Sequence, residues 1–145
     1  MPFIDTMRMH RTLTAMDPLH VLALDHIVLE CADVETTLAW YLDVLGLQPV
    51  RVDEWHRGEA PFPSVRVSAD TIIDLIRGAT ASNGGSGGRL DHFCVVVEPV
   101  DLEAVASSGT FDVVEGPATR YGARGNGTSL YVRDPDGTVV ELRHY

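Results

Sequence analysis

The 145-residue sequence contains no lysine, and all eleven of its basic residues are arginine. A chain without lysine cannot form a Schiff base with a carbonyl substrate or with pyridoxal phosphate, and it cannot supply the lysine of a P-loop. Basic residues of any kind are also few, because 21 acidic residues leave a formal net charge of −10. Nucleic acids and anionic membranes, which require a clustered basic surface, are therefore not expected as partners.

Cysteine is scarce as well, and long apolar runs are missing. The only two cysteines, Cys31 and Cys94, lack the CxxC spacing of a metal or redox site, so we interpret them as buried thiols of a reducing compartment. The sequence has no apolar run of about 18 residues, the length that a membrane helix needs. Asp5, Arg8 and His10 interrupt the N-terminal segment where a signal peptide would be apolar. These features predict a cytoplasmic protein.

The most informative pattern that is present is an internal repeat. Leu24-Asp25-His26-Ile27-Val28 recurs as Leu90-Asp91-His92-Phe93-Cys94, and Thr71-Ile72-Ile73-Asp74-Leu75 recurs as Thr138-Val139-Val140-Glu141-Leu142. The offsets of the two matches agree to within one residue. Two chance similarities would not have to share one offset, so a whole module is duplicated.

Each copy predicts the order strand, helix and three strands, and the whole chain is therefore an α+β protein of two βαβββ modules. Alternation of apolar residues and the positions of turn residues define the strands, and Asp33 and Pro99 mark the starts of the helices. The predicted strands are Leu22–Cys31, Leu47–Glu54, Ser64–Ser68, Thr71–Arg77, Leu90–Val97, Phe111–Glu115, Thr128–Arg133 and Thr138–His144; the predicted helices are Val34–Leu45 and Pro99–Ser107.

The predicted domain organisation follows from this repeat. All four methionines precede residue 17, which predicts that residues 1–20 form a tail outside the packed core. Residues 21–145 then form one domain, with a first module over 21–78 and a second over 89–145. Residues 79–88 include a Gly/Ser-rich stretch that is typical of a flexible linker.

Four repeat-related residues could hold a metal ion. Alternation along the strands puts His26 and His92 on matching faces of the first strand of each module, and Asp74 and Glu141 on matching faces of the last strand. Imidazole nitrogens and carboxylate oxygens suit Fe(II), Ni, Zn, Mn or Co. Burial of an unpaired carboxylate costs on the order of several kcal/mol, and a shared cation removes this penalty. We therefore predict that these residues ligate a divalent ion.

These residues and motifs resemble the vicinal oxygen chelate superfamily, which includes glyoxalase I, extradiol dioxygenases and bleomycin-resistance proteins. The resemblance covers Leu22–Tyr145. Glu115-Gly116-Pro117 and Ser129-Leu130-Tyr131-Val132-Arg133-Asp134-Pro135-Asp136-Gly137 are most similar to a small glyoxalase-domain, or virulence-type, branch. The resemblance implies paired, curved mixed sheets that enclose an open barrel-like cleft, a divalent metal, a homodimer and a small-molecule substrate.

The resemblance also implies a reaction, with alternatives. In a glyoxalase-like enzyme the ion chelates vicinal oxygens of the substrate, and Asp74 or Glu141, with Tyr131 nearby, moves a proton. Asp74 is one methylene shorter than the glutamate of glyoxalase I; without it, His26, His92 and Glu141 form the ligand triad of an Fe(II) extradiol dioxygenase. A third reading is a binding protein that sequesters a drug or toxin.

Several further residues are candidates for roles around the ion. Tyr131 and His56 could act as acid or base in the dioxygenase reaction. Trp55 is a candidate to line the substrate site. The glycine-rich segment Arg120–Gly127, which includes Arg124, fits two interpretations: a mobile lid that engages an anionic group of the substrate, and a solvated surface loop.

Overall fold

The computed structural model describes His20, residues 22–78 and residues 90–145. The predicted tail, apart from His20, and the predicted linker 79–88 lie outside the described residues. The elements, in chain order, are β1 (His26–Cys31), α1 (Val34–Ala39), β2 (Gln48–Val50), α2 (Val52–His56), β3 (Ser64–Ser68), β4 (Thr71–Arg77), β5 (Phe93–Val96), α3 (Leu102–Ser107), β6 (Asp112–Gly122), β7 (Gly125–Arg133) and β8 (Val139–His144).

Each module forms its own four-stranded mixed sheet. The strand orders are β1-β4-β3-β2 and β5-β8-β7-β6, so the two sheets have the same topology. In each sheet the first and last strands of the module, β1 with β4 and β5 with β8, are parallel neighbours, and the other pairs are antiparallel. The predicted fold class is confirmed: the sheets are curved and, in the described part of the chain, not closed into a barrel.

The first helix begins where the sequence predicts. The side chain of Asp33 accepts a hydrogen bond from the backbone N–H of Glu35, as an N-cap does. The helix continues from α1 into a π-helical turn over Trp40–Val44, and Gly46, with φ of 82°, follows its end. The left-handed conformation at Gly46 is one that glycine adopts without steric cost.

The predicted strand Leu47–Glu54 is wrong beyond Val50. Arg51 has φ of 57° and turns the chain out of the sheet, and α2 begins at the next residue. Val52 and Trp55 are three residues apart and pack together against the first hydrophobic cluster. Residues i and i+3 share one face of a helix, whereas on a strand they would lie on opposite faces.

The predicted start of the second helix is also wrong. The helix begins at Leu102 instead of Pro99, because the carboxylate of Asp101 accepts hydrogen bonds from the N–H groups of Glu103 and Ala104. The side chain of Asp101 thus satisfies the first N–H groups of the helix. The side chain of Pro99 has no acceptor that could do so.

The predicted lid Arg120–Gly127 is a β-hairpin. Strand β6 runs to Gly122 and β7 starts at Gly125, so that Arg120 lies opposite Gly127 in the ladder. The glycines suggested a loop because they weaken strand propensity. In the folded chain, Gly122 and Gly127 instead make room for the side chain of Arg143.

Two apolar clusters form the core, one beneath each sheet. Ile73 and Leu75 of β4 are buried in the first cluster, and Val140 and Leu142 of β8 in the second, as alternation predicts. Four partly buried side chains pack against both clusters and thereby join the modules: Trp40, Leu45, Val67 and Phe93. Among the described residues, every helix is too short or too polar to cross a bilayer.

The cysteines are both free thiols, and they differ in burial. Cys31 is fully buried, and burial raises its pKa to about 12. Cys94 is exposed, so the prediction of a buried thiol is wrong for this residue. Cys94 lies on the face of β5 that points away from the core, whereas its neighbour Val95 is buried.

A polar contact connects the modules through the turn Asp134–Gly137. The hydroxyl of Tyr41 donates to Oδ2 of Asp134 over 2.8 Å, and the backbone N–H of Ala32 donates to Oδ1 of Asp136 over 2.8 Å. The hydroxyl of Thr37 also donates to Asp136. Burial raises the pKa of Asp134 and, with the charge of Asp134, raises that of Tyr41 well above its usual value. The turn of the second module is thus fixed against the first helix.

Substitution Tyr41→Phe removes the buried donor to Asp134 and leaves the carboxylate oxygen without this hydrogen bond. We expect a loss of about 1–3 kcal/mol in the free energy of unfolding, measured by urea denaturation at fixed protein concentration. Tyr121→Phe is the matched control, because Tyr121 is 85% exposed and should change the free energy little. Equal losses for both variants would contradict this role of Tyr41.

Candidate metal centre

The second module brings His92 next to Glu141. Nε2 of His92 lies 3.2 Å from Oε2 of Glu141, and its Nδ1 lies 2.6 Å from Oδ2 of Asp91. When Nδ1 carries the proton and donates to Asp91, Nε2 of the neutral ring is free to bind a cation. We refer to His92 and Glu141 as the second pair.

The first module repeats this arrangement with His26 and Asp74, the first pair. Nε2 of His26 lies 3.9 Å from Oδ2 of Asp74, and Nδ1 lies 2.7 Å from Oδ2 of Asp25. The hydrogen bond to Asp25 raises the pKa of His26; the charges of Asp74 and Asp25 act in the same direction, and desolvation opposes them. The same Asp-His dipeptide therefore orients both imidazoles.

A serine holds one oxygen of each carboxylate. Ser64 donates to Oδ1 of Asp74 over 2.6 Å, and Ser129 donates to Oε1 of Glu141 over 2.6 Å. The other oxygen of each carboxylate faces the histidine. Both carboxylates are almost fully buried, so these hydrogen bonds replace part of the lost hydration. The serines carry no sequence signal of their own, and only the strand register reveals them.

Arg143 is the residue that sequence reasoning missed. It is 3% exposed, and Nη1 lies 3.2 Å from Oε1 of Glu141. Alternation along β8 does put Arg143 on the same face as Glu141, two residues away. A buried ion pair was not expected, because the sequence does not show what would satisfy the remaining donors of a buried guanidinium.

The two pairs are not combined within the chain. Among the described residues, no group of three or more histidine, cysteine, aspartate or glutamate side chains is close enough to hold one ion. The predicted ligands are therefore brought together two by two. The assignment of all four to one ion stays a prediction.

Each pair has donors that fit one side of a metal centre. Two atoms that bind the same ion at about 2.1 Å lie about 3.0–3.4 Å apart when they are adjacent ligands. The 3.2 Å of the second pair matches this span, and the 3.9 Å of the first exceeds it by a distance that a small rotation of a side chain closes. Two donors leave a coordination sphere incomplete.

The face that carries each pair is open to solvent in the described structure. Val28, two residues beyond His26 on β1, is 48% exposed, and Val96 on β5 is 56% exposed. Apolar side chains beside buried carboxylates are typical of a surface that another element covers.

Tyr131 lies beside the second pair. It is opposite Glu141 in the β7–β8 ladder, and its ring contacts that of His92 edge to face with centroids 5.5 Å apart. Burial raises the pKa of Tyr131, and the charge of Glu141 adds to the effect. The phenol therefore stays protonated at neutral pH and can donate a proton.

The other predicted candidates lie in different surroundings. His56 pairs with Glu35 over 2.6 Å, and Trp55 packs against the first core cluster. Arg124 stacks on the ring of Tyr145 with 4.2 Å from Cζ to the centroid. Arg120 forms an ion pair with Glu115. Each of these side chains has a structural partner in the chain.

A duplicated α+β fold with one oriented histidine and one buried carboxylate per module defines the class of protein. The family model described as the Glyoxalase/Bleomycin resistance protein/Dioxygenase superfamily matches residues 23–142. The chain belongs to this superfamily, as the resemblance in the sequence implies.

Curated relatives are found in bacteria and fungi. Virulence protein STM3117 of Salmonella typhimurium is 30% identical over 124 residues, which cover 84% of this chain and 83% of the relative. Glyoxalase domain-containing protein RDO1 of Mycosarcoma maydis is 31% identical over 130 residues, which cover 88% and 70%. A probable lactoylglutathione lyase of Synechocystis is 24% identical over 122 residues, which cover 81% and 91%.

Solved structures show the same fold. The integron cassette protein VCH_CASS1 of V. cholerae has a TM-score of 0.67 and 28% identity, with 89% of this chain and 99% of that chain covered. The crystal structure of STM3117 has a TM-score of 0.66 and 25% identity, with 88% and 99% covered.

Substitution Glu141→Ala leaves the buried guanidinium of Arg143 without its anionic partner. We expect the free energy of unfolding, measured without added metal, to fall by about 3–5 kcal/mol. Glu115→Ala, which breaks the exposed pair with Arg120, should cost less than about 1 kcal/mol. A small loss for Glu141→Ala would show that the pair does not stabilise the fold.

Proposed function

We propose that the protein is a divalent-metal enzyme of the glyoxalase type whose metal centre is completed by dimerisation. His26 and Asp74 of one subunit bind the ion together with His92 and Glu141 of the partner subunit. The observation that supports the proposal is that, among the described residues, the two pairs do not come together within one chain. In each pair, Nε2 of the histidine and one carboxylate oxygen are turned toward each other. Members of the superfamily commonly use divalent metals.

The repeat supports the arrangement across two subunits. Two modules with the same topology can associate about a twofold axis, so that the first module of one chain faces the second module of the other. This contact covers the open faces that carry Val28 and Val96 and brings two donors from each subunit to each ion. A homodimer then has two equivalent centres.

The bound ion supplies Lewis acidity toward two vicinal oxygens of a small substrate. Ni, Zn, Fe(II), Mn and Co all suit the donor set. The residues of the chain do the rest: Ser64 and Ser129 orient the carboxylates, and Asp25 and Asp91 orient the imidazoles. In the proposed dimer the partner module covers this face and excludes water, which strengthens these interactions.

Asp74 is the proposed base of the proton transfer. Nε2 of His26 lies 3.9 Å from Oδ2 of Asp74, and Ser64 holds only Oδ1. When Oδ2 is not bound to the ion, it can accept a proton from carbon and return it to an adjacent carbon. Tyr131, protonated at neutral pH, is the proposed donor near the opposite side of the centre. The probable lactoylglutathione lyase among the relatives supports this type of reaction.

An extradiol dioxygenase is the second candidate. The longer distance in the first pair, 3.9 Å against 3.2 Å, favours an ion held by two histidines and Glu141 alone. The two activities are separated by assays of the purified dimer. Lactoylthiol formation with Ni or Zn supports the first proposal, whereas oxygen consumption with a catechol and Fe(II) supports the second.

Complementation tests whether the centre is shared between subunits. We expect His26→Ala and His92→Ala homodimers to bind no Zn tightly, because each centre loses one imidazole. A heterodimer of the two variants, isolated through two different affinity tags, should bind one Zn, since one of its centres combines the intact first module of one chain with the intact second module of the other. Isothermal titration calorimetry measures the stoichiometry.

The matched control has the opposite expectation. A heterodimer of wild type with the double variant His26→Ala/His92→Ala has one damaged pair in each shared centre, so it should bind no Zn tightly. If each chain instead holds its own ion, this heterodimer binds one Zn and the first heterodimer binds none. That result would contradict the proposed arrangement.

A further inference from the structure

Three backbone oxygens and two side chains, those of Glu141 and Ser129, hold the guanidinium of Arg143. Nη2 donates to the carbonyl of Gly125 over 3.1 Å and to that of Arg120, and Nη1 is 3.4 Å from the carbonyl of Tyr121. All three carbonyls belong to the tip of the β6–β7 hairpin. The same Nη1 is the atom that donates to Oε1 of Glu141. The hairpin therefore fixes the cation at one oxygen of the carboxylate.

The glycines of the hairpin make this position possible. A Cβ at Gly122 would lie 2.5 Å from Cζ and 2.7 Å from Nη1 of Arg143, and a Cβ at Gly127 would lie 3.0 Å from its Nε. All three distances are shorter than normal contacts. The glycine-rich segment that suggested a lid is thus a binding site for the Arg143 side chain.

In the described part of the first module, no arginine occupies the corresponding position beside Asp74. Arg143 follows Glu141 by two residues on β8, and the residue at the same position after Asp74 on β4 is Ile76. The strand registers show a second difference: Ser64 lies directly opposite Asp74, whereas Ser129 lies opposite Arg143. The two modules therefore differ: Glu141 lies beside the buried guanidinium of Arg143, and Asp74 has Ile76 at the corresponding position.

We propose that Arg143 is a positioning residue for the metal centre, which keeps Oε1 of Glu141 occupied so that Glu141 binds the ion through Oε2 alone. The inference rests on the proposed function. Nη1 and the hydroxyl of Ser129 already saturate Oε1, while Oε2 faces Nε2 of His92 at 3.2 Å. Hydrogen bonds of this kind fix the orientation of a ligating carboxylate. Without the cation, the carboxylate can rotate and offer both oxygens to the ion.

Infrared spectroscopy of full-length protein labelled with [13C-carboxyl]glutamate tests the proposal. Glu141 is the only glutamate among the four proposed ligands, so the Zn-loaded minus Zn-free difference spectrum of the label reports its carboxylate. The symmetric and antisymmetric stretches are farther apart when one oxygen binds the metal than when both do. We expect the wide separation in wild type and the narrow separation in Arg143→Met.

A second variant keeps the cation and moves it. Gly122→Ala places a methyl group against Cζ and Nη1, and the far end of a flexible side chain can shift without unfolding the hairpin. We expect it to give the narrow separation as well, and it decides the question if Arg143→Met does not fold. Arg133→Met is the control, because Arg133 pairs with Asp112 at the other end of β7 and should keep the wild-type separation.

The outcomes separate the two proposals. A wide separation in wild type that persists in folded Arg143→Met and in Gly122→Ala overturns the role of Arg143, and so does a narrow separation in wild type. Failure of the proposed function appears differently: wild type then binds no Zn by calorimetry and shows no label-sensitive difference band.

Discussion

The parallel pairing of the first and last strands of each module is the constraint on which the candidate site depends. In the first sheet Val28 pairs with Asp74, and His26, two residues before Val28 on β1, lies on the same face. In the second sheet Cys94 pairs with Glu141, and His92, which directly precedes β5, takes the same place relative to Cys94. Because side chains alternate along a strand, this register turns the histidine and the carboxylate toward each other. A shift of one residue would place the carboxylate among the apolar side chains under the sheet.

The same constraint is the reason why the proposed metal centre combines modules of two chains. Each sheet places one imidazole and one carboxylate together, and Trp40, Leu45, Val67 and Phe93 join the modules through their apolar sides. The contacts of Tyr41 and Thr37 with the Asp134–Gly137 turn fix the modules further. These contacts lie on the core side of the sheets. The opposite faces, which carry the first and second pairs, therefore stay open. Two half-centres on open faces are best completed by a partner with the complementary module.

Much of the fold was predictable, because the repeat and the alternation of apolar residues extend over whole strands. The strands and the faces that carry the histidines and carboxylates follow from these patterns, whereas the division of the four residues into the first and second pairs is visible only in the strand ladders. Local conformation was less predictable: the left-handed Arg51 ends β2, and the cap at Asp101 moves the start of α3. The role of Arg143 was not predictable at all, since it depends on a hairpin whose glycines look like a loop in the sequence.

In the proposed dimer, one ion joins His26 and Asp74 of one subunit to His92 and Glu141 of the partner subunit. An anomalous difference map from crystals grown with Ni tests this arrangement. We expect one peak per subunit, located between the two modules of different chains and within coordinating distance of Nε2 of both histidines. A peak held by both pairs of a single chain, or by one pair alone with no partner module opposite, would contradict the shared centre.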